Sequence, residues 1–379
     1  MPLKIGFDSK RAFHNTRGLG NYSRNLISGL VNYYPENSYY LFGESAKNAE
    51  CVNWHKQISN QTTLINPGSS ITGKALWRSY FSENEIRKQQ LDIFHGLSHE
   101  IPFKKKNKHT KYVVTIHDLF VFRLKNEFKW IDRKIYLAKI KYSCRHADLI
   151  IAVSEQTKKD LIDLLHVPEE KIVVNYQSCS NLYYDEKNNE CKQRVKDTYQ
   201  LPDRFYLFVG ALVKHKNIER IIEAIALLPL EIQYPLVIVG RENSYKNELI
   251  AIASKFKLEE KIQFVDFVTG EDLPVFYQLA ELLIWPSLFE GFGIPIIEAL
   301  FCKLPVITSN VGCFSEAGGE GALYVDPEQT SAIASAIEFV ITDDALYAKL
   351  REKGHAHVQK FHIKNTSLHL MELYKSLLK

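Results

Sequence analysis

The sequence predicts an α/β protein made of two doubly wound domains that face each other across a cleft. Three observations lead there. The chain is 379 residues long, more than one hydrophobic core usually serves. Short β-rich runs alternate with amphipathic helical stretches along almost its whole length, the pattern of parallel sheets covered on both faces. Every notable polar cluster falls just after a strand, where open α/β sheets bind their ligands.

In the first half, strands are predicted at residues 4–7, 92–95, 112–116, 149–153 and 172–175, with helices at 19–31, 129–145 and 155–165. In the second half, strands fall at 206–209, 236–239, 263–265, 282–285, 306–308 and 322–325. The run 218–228 carries apolar residues at 218, 221, 222, 225 and 228, a helical spacing. Residues 178–203 break the rhythm with polar, turn-rich sequence. The predicted organisation is a first domain at 1–178 and a linker at 179–203. A second domain follows at 204–361, and then a terminal helix at 362–379.

Composition narrows the class. Apolar residues make up 45% and charged residues 24%, as in soluble globular proteins. No apolar run reaches 18 residues, and the first residues read as a buried strand rather than a signal peptide. The six cysteines are scattered with no C-x-x-C pair, which points to reduced thiols in the cytoplasm and against zinc or disulfides. Residues 1–180 hold 27 Lys+Arg against 17 Asp+Glu, whereas the remainder holds 21 against 27. The basic half leaves open an anionic partner: nucleic acid, a membrane surface or a phosphorylated acceptor.

The most informative segment is Glu290-Gly291-Phe292-Gly293-Ile294-Pro295-Ile296-Ile297-Glu298. Two carboxylates bracket a glycine turn between a strand and a helix expected to start near Pro295. Glu298 is expected in that helix's first turn, where negative charge is favoured. Amides at the helix N-terminus between two hydrogen-bond acceptors suit a diphosphate flanked by hydroxyls, and a nucleotide sugar is such a ligand. The bland alternative is a turn glycine pair and a capping glutamate.

Gly210 through Asn217 includes Lys214-His215-Lys216 directly after a strand, a placement suited to phosphate, with Lys216 the leading residue. A solvated basic loop is the competing reading. Gly18 and Gly20 lie in Arg17-Gly18-Leu19-Gly20 after the first strand and suggest either a lid or a plain tight turn. They do not form the dinucleotide fingerprint, since Ser23 stands at its third glycine. His117 ends the strand Thr115-Ile116-His117, where it could bond a substrate hydroxyl, act as acid or base, or be structural. His95 is a weaker candidate of the same kind. The basic loop 104–111 and the helix from 129, with Arg133, Lys134, Lys139, Lys141 and Arg145, keep anionic lipid contact open.

With these residues in view, the chain resembles retaining glycosyltransferases of the GT-B class, family 4. The likeness runs over essentially the full length and is most specific at the E-x7-E motif from Glu290 to Glu298. The N-terminal Gly-x-Gly-x-Tyr stretch is similar to bacterial mannosyltransferases that build polysaccharides. The resemblance implies two Rossmann-like domains, the first (1–178) binding the acceptor and the second (204–361) the nucleotide sugar, with the last helix crossing back onto the first. It implies that Glu298 holds the donor ribose and that Lys216 neutralises the phosphates. Glu290 and the amides of Phe292 and Gly293 would hold the donor sugar, His117 would contact it near the reacting carbon, and Gly18 and Gly20 would cover the phosphates. Gly210, His215, Gly291 and Ile294 complete the expected donor site.

The implied reaction transfers a hexose, with mannose from GDP-mannose the first choice, to a hydroxyl of a glycan or lipid-linked glycan, with retention and with no metal or other cofactor. UDP-sugars fit the same motifs, and a GT-B epimerase acting without acceptor is a second reading. Nucleic acid is not an expected partner, because the basic half lacks interleaved aromatic and basic residues. The expected location is the cytoplasm, with peripheral contact to the inner face of the membrane left open. One departure from the family pattern is His215 in place of an arginine, and another is Ser178 in place of a glycine.

Overall fold

The computed structural model describes residues 2–67, 73, 76–103, 108–123 and 130–379. Residues 104–107 of the basic loop 104–111 and residue 129 of the predicted basic helix lie outside these residues. The chain divides into two compact units, one of Met1–Cys179 with Phe361–Lys379, the other of Ser180–Lys360.

The first unit holds a seven-stranded, all-parallel sheet among the described residues. Its strands are β1 (Lys4–Asp8), β2 (Ser38–Phe42), β3 (Thr62–Ile65), β4 (Ile93–Gly96), β5 (Lys111–Ile116), β6 (Leu149–Ala152) and β7 (Ile172–Val174). Their spatial order is β3-β2-β1-β4-β5-β6-β7. β2 and β3 are absent from the sequence reading. β2 opens on an exposed Ser38 before its short apolar run Tyr39–Phe42, and β3 is a half-buried edge strand beginning with two threonines.

The second unit has a six-stranded parallel sheet: β8 (Tyr206–Val209), β9 (Leu236–Val239), β10 (Ile262–Val265), β11 (Leu282–Trp285), β12 (Val306–Ser309) and β13 (Ala322–Val325). The order is β10-β9-β8-β11-β12-β13. β8, β9, β11 and β12 are buried at every position, as strands covered on both faces must be. The two sheets therefore share one Rossmann-type winding. Each reverses direction between its first strand and its fourth: β1 and β4 in one unit, β8 and β11 in the other.

The helices follow the predicted periodicity. Ile218–Ala226 buries Ile218, Ile221, Ile222 and Ile225, and stops two residues before the predicted end. Glu155–Leu165 starts where the Ser154 hydroxyl accepts the Thr157 N–H, and it ends at His166 in the left-handed region. The helix Gly18–Tyr33 packs closely against the terminal helix Ile363–Leu377. A Cβ on Gly29 would come within 2.2 Å of Ser367 Oγ, so only glycine allows that approach. The terminal helix thus belongs to the first unit. The stretch 179–203 carries structure of its own. Its helix Asn189–Tyr199 buries only Val195 fully, which is why it reads as linker, but Arg194 pairs with Asp272 at 2.5 Å within the second unit.

Candidate functional site

In the second unit, the loops following β8 and β11 meet at the reversal point. Trp285, the last residue of β11, donates its indole N–H to Val209 O of β8 at 3.0 Å. Asn217 sits in the left-handed region at φ 62°, fully buried, and its side-chain amide donates to Pro286 O at 3.0 Å and Pro327 O at 2.7 Å. Leu288 N–H donates to His215 O at 2.8 Å, and Ser287 Oγ donates to the same carbonyl at 3.0 Å. These bonds fix residues 214–217 against residues 286–290.

The result is a close ion pair between Lys216 Nζ and Glu290 Oε1. Ser287 Oγ lies 2.8 Å from the same carboxylate oxygen, and the Lys216 ammonium lies 4.2 Å from the centre of the Trp285 ring. Both charged side chains are mostly withdrawn from water, at 12% and 14% exposure, so the pair is a concentrated charge on an apolar floor. Below it, the Cys313 thiol donates to Glu290 O at 3.3 Å and Phe292 O at 3.0 Å.

Gly293 precedes the helix Ile294–Phe301 at φ 116°, a conformation side-chain-bearing residues rarely adopt. No side chain caps this helix's N-terminus, and Pro295 lies in its first turn, as the sequence suggests. Glu298 does not. The helix begins at Ile294, so Glu298 falls in the second turn, and the favourable dipole expected for it does not apply. Its carboxyl is buried at 7% exposure and accepts a hydrogen bond from the Tyr277 hydroxyl at 2.7 Å. Burial raises its pKa to about 7, only partly offset by the hydroxyls of Tyr277 and Tyr183. Tyr277 carries no sequence signal, since 21 residues separate it from Glu298.

The remaining expected residues divide between the units. Gly210 and His215 lie in the loop after β8, and Gly291, Phe292 and Ile294 in the turn after β11, all in the second unit. Gly18, Gly20 and His117 lie in the first. Gly18 and Gly20 occupy the first turn of the helix Gly18–Tyr33 rather than a loop. Packing requires Gly20, where a Cβ would stand 1.6 Å from Asn15 O, whereas the space beside Gly18 is open.

His117 is buried with both ring nitrogens engaged. Nε2 lies 2.9 Å from Leu97 O and Nδ1 2.9 Å from the Gln177 side-chain nitrogen. The carbonyl must accept, so Nε2 carries the proton and Nδ1 accepts from Gln177. Burial lowers its pKa to about 4. His95 is likewise bonded, at 2.6 Å to Tyr374 Oη and 2.8 Å to Thr115 Oγ1, and burial lowers its pKa to about 3. Neither imidazole offers a spare nitrogen in this arrangement.

Comparison with known proteins follows the same division. Residues 16–177 match the family described as Glycosyltransferase Family 4, and residues 190–357 match Glycosyl transferases group 1. The chain is 32% identical over 289 residues to O-antigen chain mannosyltransferase B of Escherichia coli, covering 75% of this chain and 74% of that protein. It is 30% identical over 295 residues to the serotype-specific mannosyltransferase WbdA of Escherichia coli, but spans only 36% of that longer protein. Among solved structures, Anabaena Alr3699/HepE in complex with UDP-glucose superimposes with a TM-score of 0.75 at 17% identity, covering 99% of this chain and all of the other. A glycosyltransferase from Rickettsia africae gives 0.74 at 19% identity, over 100% and 99% of the two chains. Those likenesses establish the GT-B fold. The matches over both halves, with a relative above 30% identity across most of its length, show that the chain belongs to glycosyltransferase family 4.

Proposed function

We propose that this protein transfers mannose from GDP-mannose to a hydroxyl of a growing polysaccharide, with retention at the anomeric carbon and without a metal. The observation that carries the reading is the Lys216–Glu290 pair at the reversal point of the second sheet, beside an uncapped helix N-terminus. The mannosyltransferase names of the relatives support the choice of sugar.

In this reading the donor diphosphate meets the Lys216 ammonium and the amides after Gly293, and these supply the positive charge that a metal would otherwise bring. Glu290 turns to the hydroxyls of the transferred sugar and stabilises the positive charge that develops at its ring. Glu298 accepts from the ribose, held in place by Tyr277. The bond from C1 to the phosphate oxygen breaks, and the acceptor oxygen bonds to C1 on the same face. The acceptor's proton passes to the leaving phosphate oxygen. His117 is left out of proton transfer because both of its nitrogens are engaged; its part is to hold the loop after β5.

No helix among the described residues is long and apolar enough to cross a membrane. Peripheral contact is supported instead by Trp130, Ile131 and Ile135, which are exposed on a helix that also carries Arg133, Lys134 and Lys139.

Thermal stabilisation by a panel of nucleotides and nucleotide sugars tests the donor, because a ligand of the folded state raises Tm. GDP and GDP-mannose are expected to stabilise most. Stabilisation by UDP-sugars alone would replace the donor, and conversion of the donor sugar with no acceptor present would favour an epimerase.

A further inference from the structure

Beyond Trp285 the chain of β11 leaves its sheet. The register between β11 and β12 ends at Trp285 and Thr308, and Pro286 has no N–H with which to continue the ladder. The carbonyls that follow still need donors, because buried backbone C=O groups are rarely left unpaired. Side chains supply those donors, all of them from the second unit.

From the β12 side the carbonyls are taken in order. Thr308 Oγ1 donates to Trp285 O at 2.9 Å, still within the strand pair, and Ser309 Oγ donates to Ser287 O at 2.6 Å just past it. The Cys313 thiol then takes Glu290 O and Phe292 O, the two carbonyls already described. From the β8 side Asn217 holds Pro286 O, between Trp285 O and Ser287 O. The path from the strand to Phe292 is thus fixed by side chains where the sheet no longer reaches it.

Cys313 is the most telling of these donors. It has a single S–H proton and two carbonyls within reach, so it ties residues 290 and 292 to one point and sets the width of the turn at Gly291. Loss of water first, and then the charge of Glu290, push its pKa well up, which keeps the proton on sulfur and the thiol a donor. Its own position is anchored. Cys313 O accepts the Glu316 N–H at 3.1 Å at the start of the helix Phe314–Gly318, and His357 Nε2 lies 3.0 Å from Glu316 O. Ser309 is the last residue of β12, equally fixed by its sheet.

Ser309 and Cys313 are both fully buried. Neither can meet a ligand, so each can act only through the carbonyls it binds. From this pattern we infer that Ser309 and Cys313 are positioning residues of the transfer reaction, which set the shape of the turn 290–293 that grips the transferred sugar. Their role rests on the donor assignment proposed above; the carbonyl bonds do not. That turn carries the Glu290 carboxylate and the left-handed Gly293, and a small misplacement of such groups is enough to lose their hold on a reacting centre. The nucleotide is held elsewhere in the same reading, at Lys216 and Glu298, so loosening the turn should separate the recognition of sugar from that of nucleotide.

The test is calorimetric titration of the full chain with GDP-mannose and, separately, with GDP. UDP-glucose and UDP are titrated in parallel, and the pair that the wild type binds is the one read. The quantity of interest is the ratio of the two Kd values, nucleotide sugar over nucleotide. Ser309→Ala and Cys313→Ala are each expected to raise that ratio at least about 10-fold, while the nucleotide alone binds as in the wild type. Cys313→Ser keeps a donor and is expected to bring the ratio back toward the wild-type value. Thermal melts without ligand accompany each variant. A lowered Tm with an unchanged ratio would make both residues structural only and overturn the inference, and so would a Cys313→Ser variant no better than Cys313→Ala. Should one alanine variant fail to fold, the other carries the test, since Ser309 and Cys313 hold different carbonyls. A wild type that binds none of these ligands would sink the donor assignment and this inference with it. A wild type that binds them, beside variants with an unchanged ratio, sinks this inference alone.

Discussion

The two sheets share one winding but arm their carboxyl edges in opposite ways. The first unit buries neutral bases there: His95, His99 and His117, each pushed toward the uncharged form by loss of water. The second places an ion pair on an aromatic floor and buries a carboxyl, Glu298, whose pKa is raised. Identical topology thus leaves the electrostatics of an edge to the loop residues. A second difference follows: His95 and His117 are saturated by neutral partners of their own chain, whereas Lys216 and Glu290 hold each other as an ion pair.

The largest effect expected from this contrast is on catalysis. Glu290→Ala should lower transfer by about 10³-fold, the scale of losing a group that stabilises developing charge, with little change in folding. His117→Asn should instead act through stability, at about 1–3 kcal/mol for orphaning its buried partners. Steady-state kinetics beside thermal melts of both variants checks this, and a reversed pattern would break the comparison.

Next comes pH. A histidine whose folded pKa is depressed contributes stability above its unfolded value near 6.5, and loses it as pH falls toward the folded value. Taken from pH 6.5 to 5, His95 and His117 should cost the first unit about 3 kcal/mol together, since each approaches about 1.4 kcal/mol per pH unit only well below 6.5. Glu298 runs the other way. Its folded pKa is raised, so its carboxyl is most stabilising below about pH 4.5 and least above about 7. The second unit should gain roughly 2–3 kcal/mol from pH 7 to 5. Native-state hydrogen exchange, read separately in the two sheets, should show protection moving in opposite directions; parallel movement would contradict it.

A smaller effect isolates Tyr277. Tyr277→Phe should cost about 1–3 kcal/mol by removing the hydroxyl from a buried carboxyl. It should also raise the KM for donor while leaving kcat nearly unchanged. A change confined to kcat would separate Glu298 from donor binding. Smallest is Gly293→Ala, expected to cost about 1–2 kcal/mol for forcing a Cβ into positive φ, measured by denaturant midpoint, with weaker GDP binding.

Much of this architecture could be read from the chain. The buried strands β8, β9 and β11 are uninterrupted apolar runs, and the Glu290–Glu298 segment follows one of them directly. What escaped depends on tertiary contact or on weak local pattern. β2 and β3 escaped because their flanks are polar. Glu298 was placed a turn too early because the exact start of a helix rests on backbone geometry at Gly293, not on the proline after it. The Lys216–Glu290 pair joins residues 74 apart and Tyr277–Glu298 residues 21 apart, so neither spacing has a local signature.

The Lys216–Glu290 pair has a kinetic consequence. A cation already held by a carboxylate of its own chain meets an incoming diphosphate as an exchange of counterions, not as a new attraction. Its pull at long range is largely cancelled, so capture of the donor should depend only shallowly on ionic strength. On the proposed reading the same carboxylate would also speed departure, because Glu290 would reclaim the Lys216 ammonium as the spent nucleotide loosens.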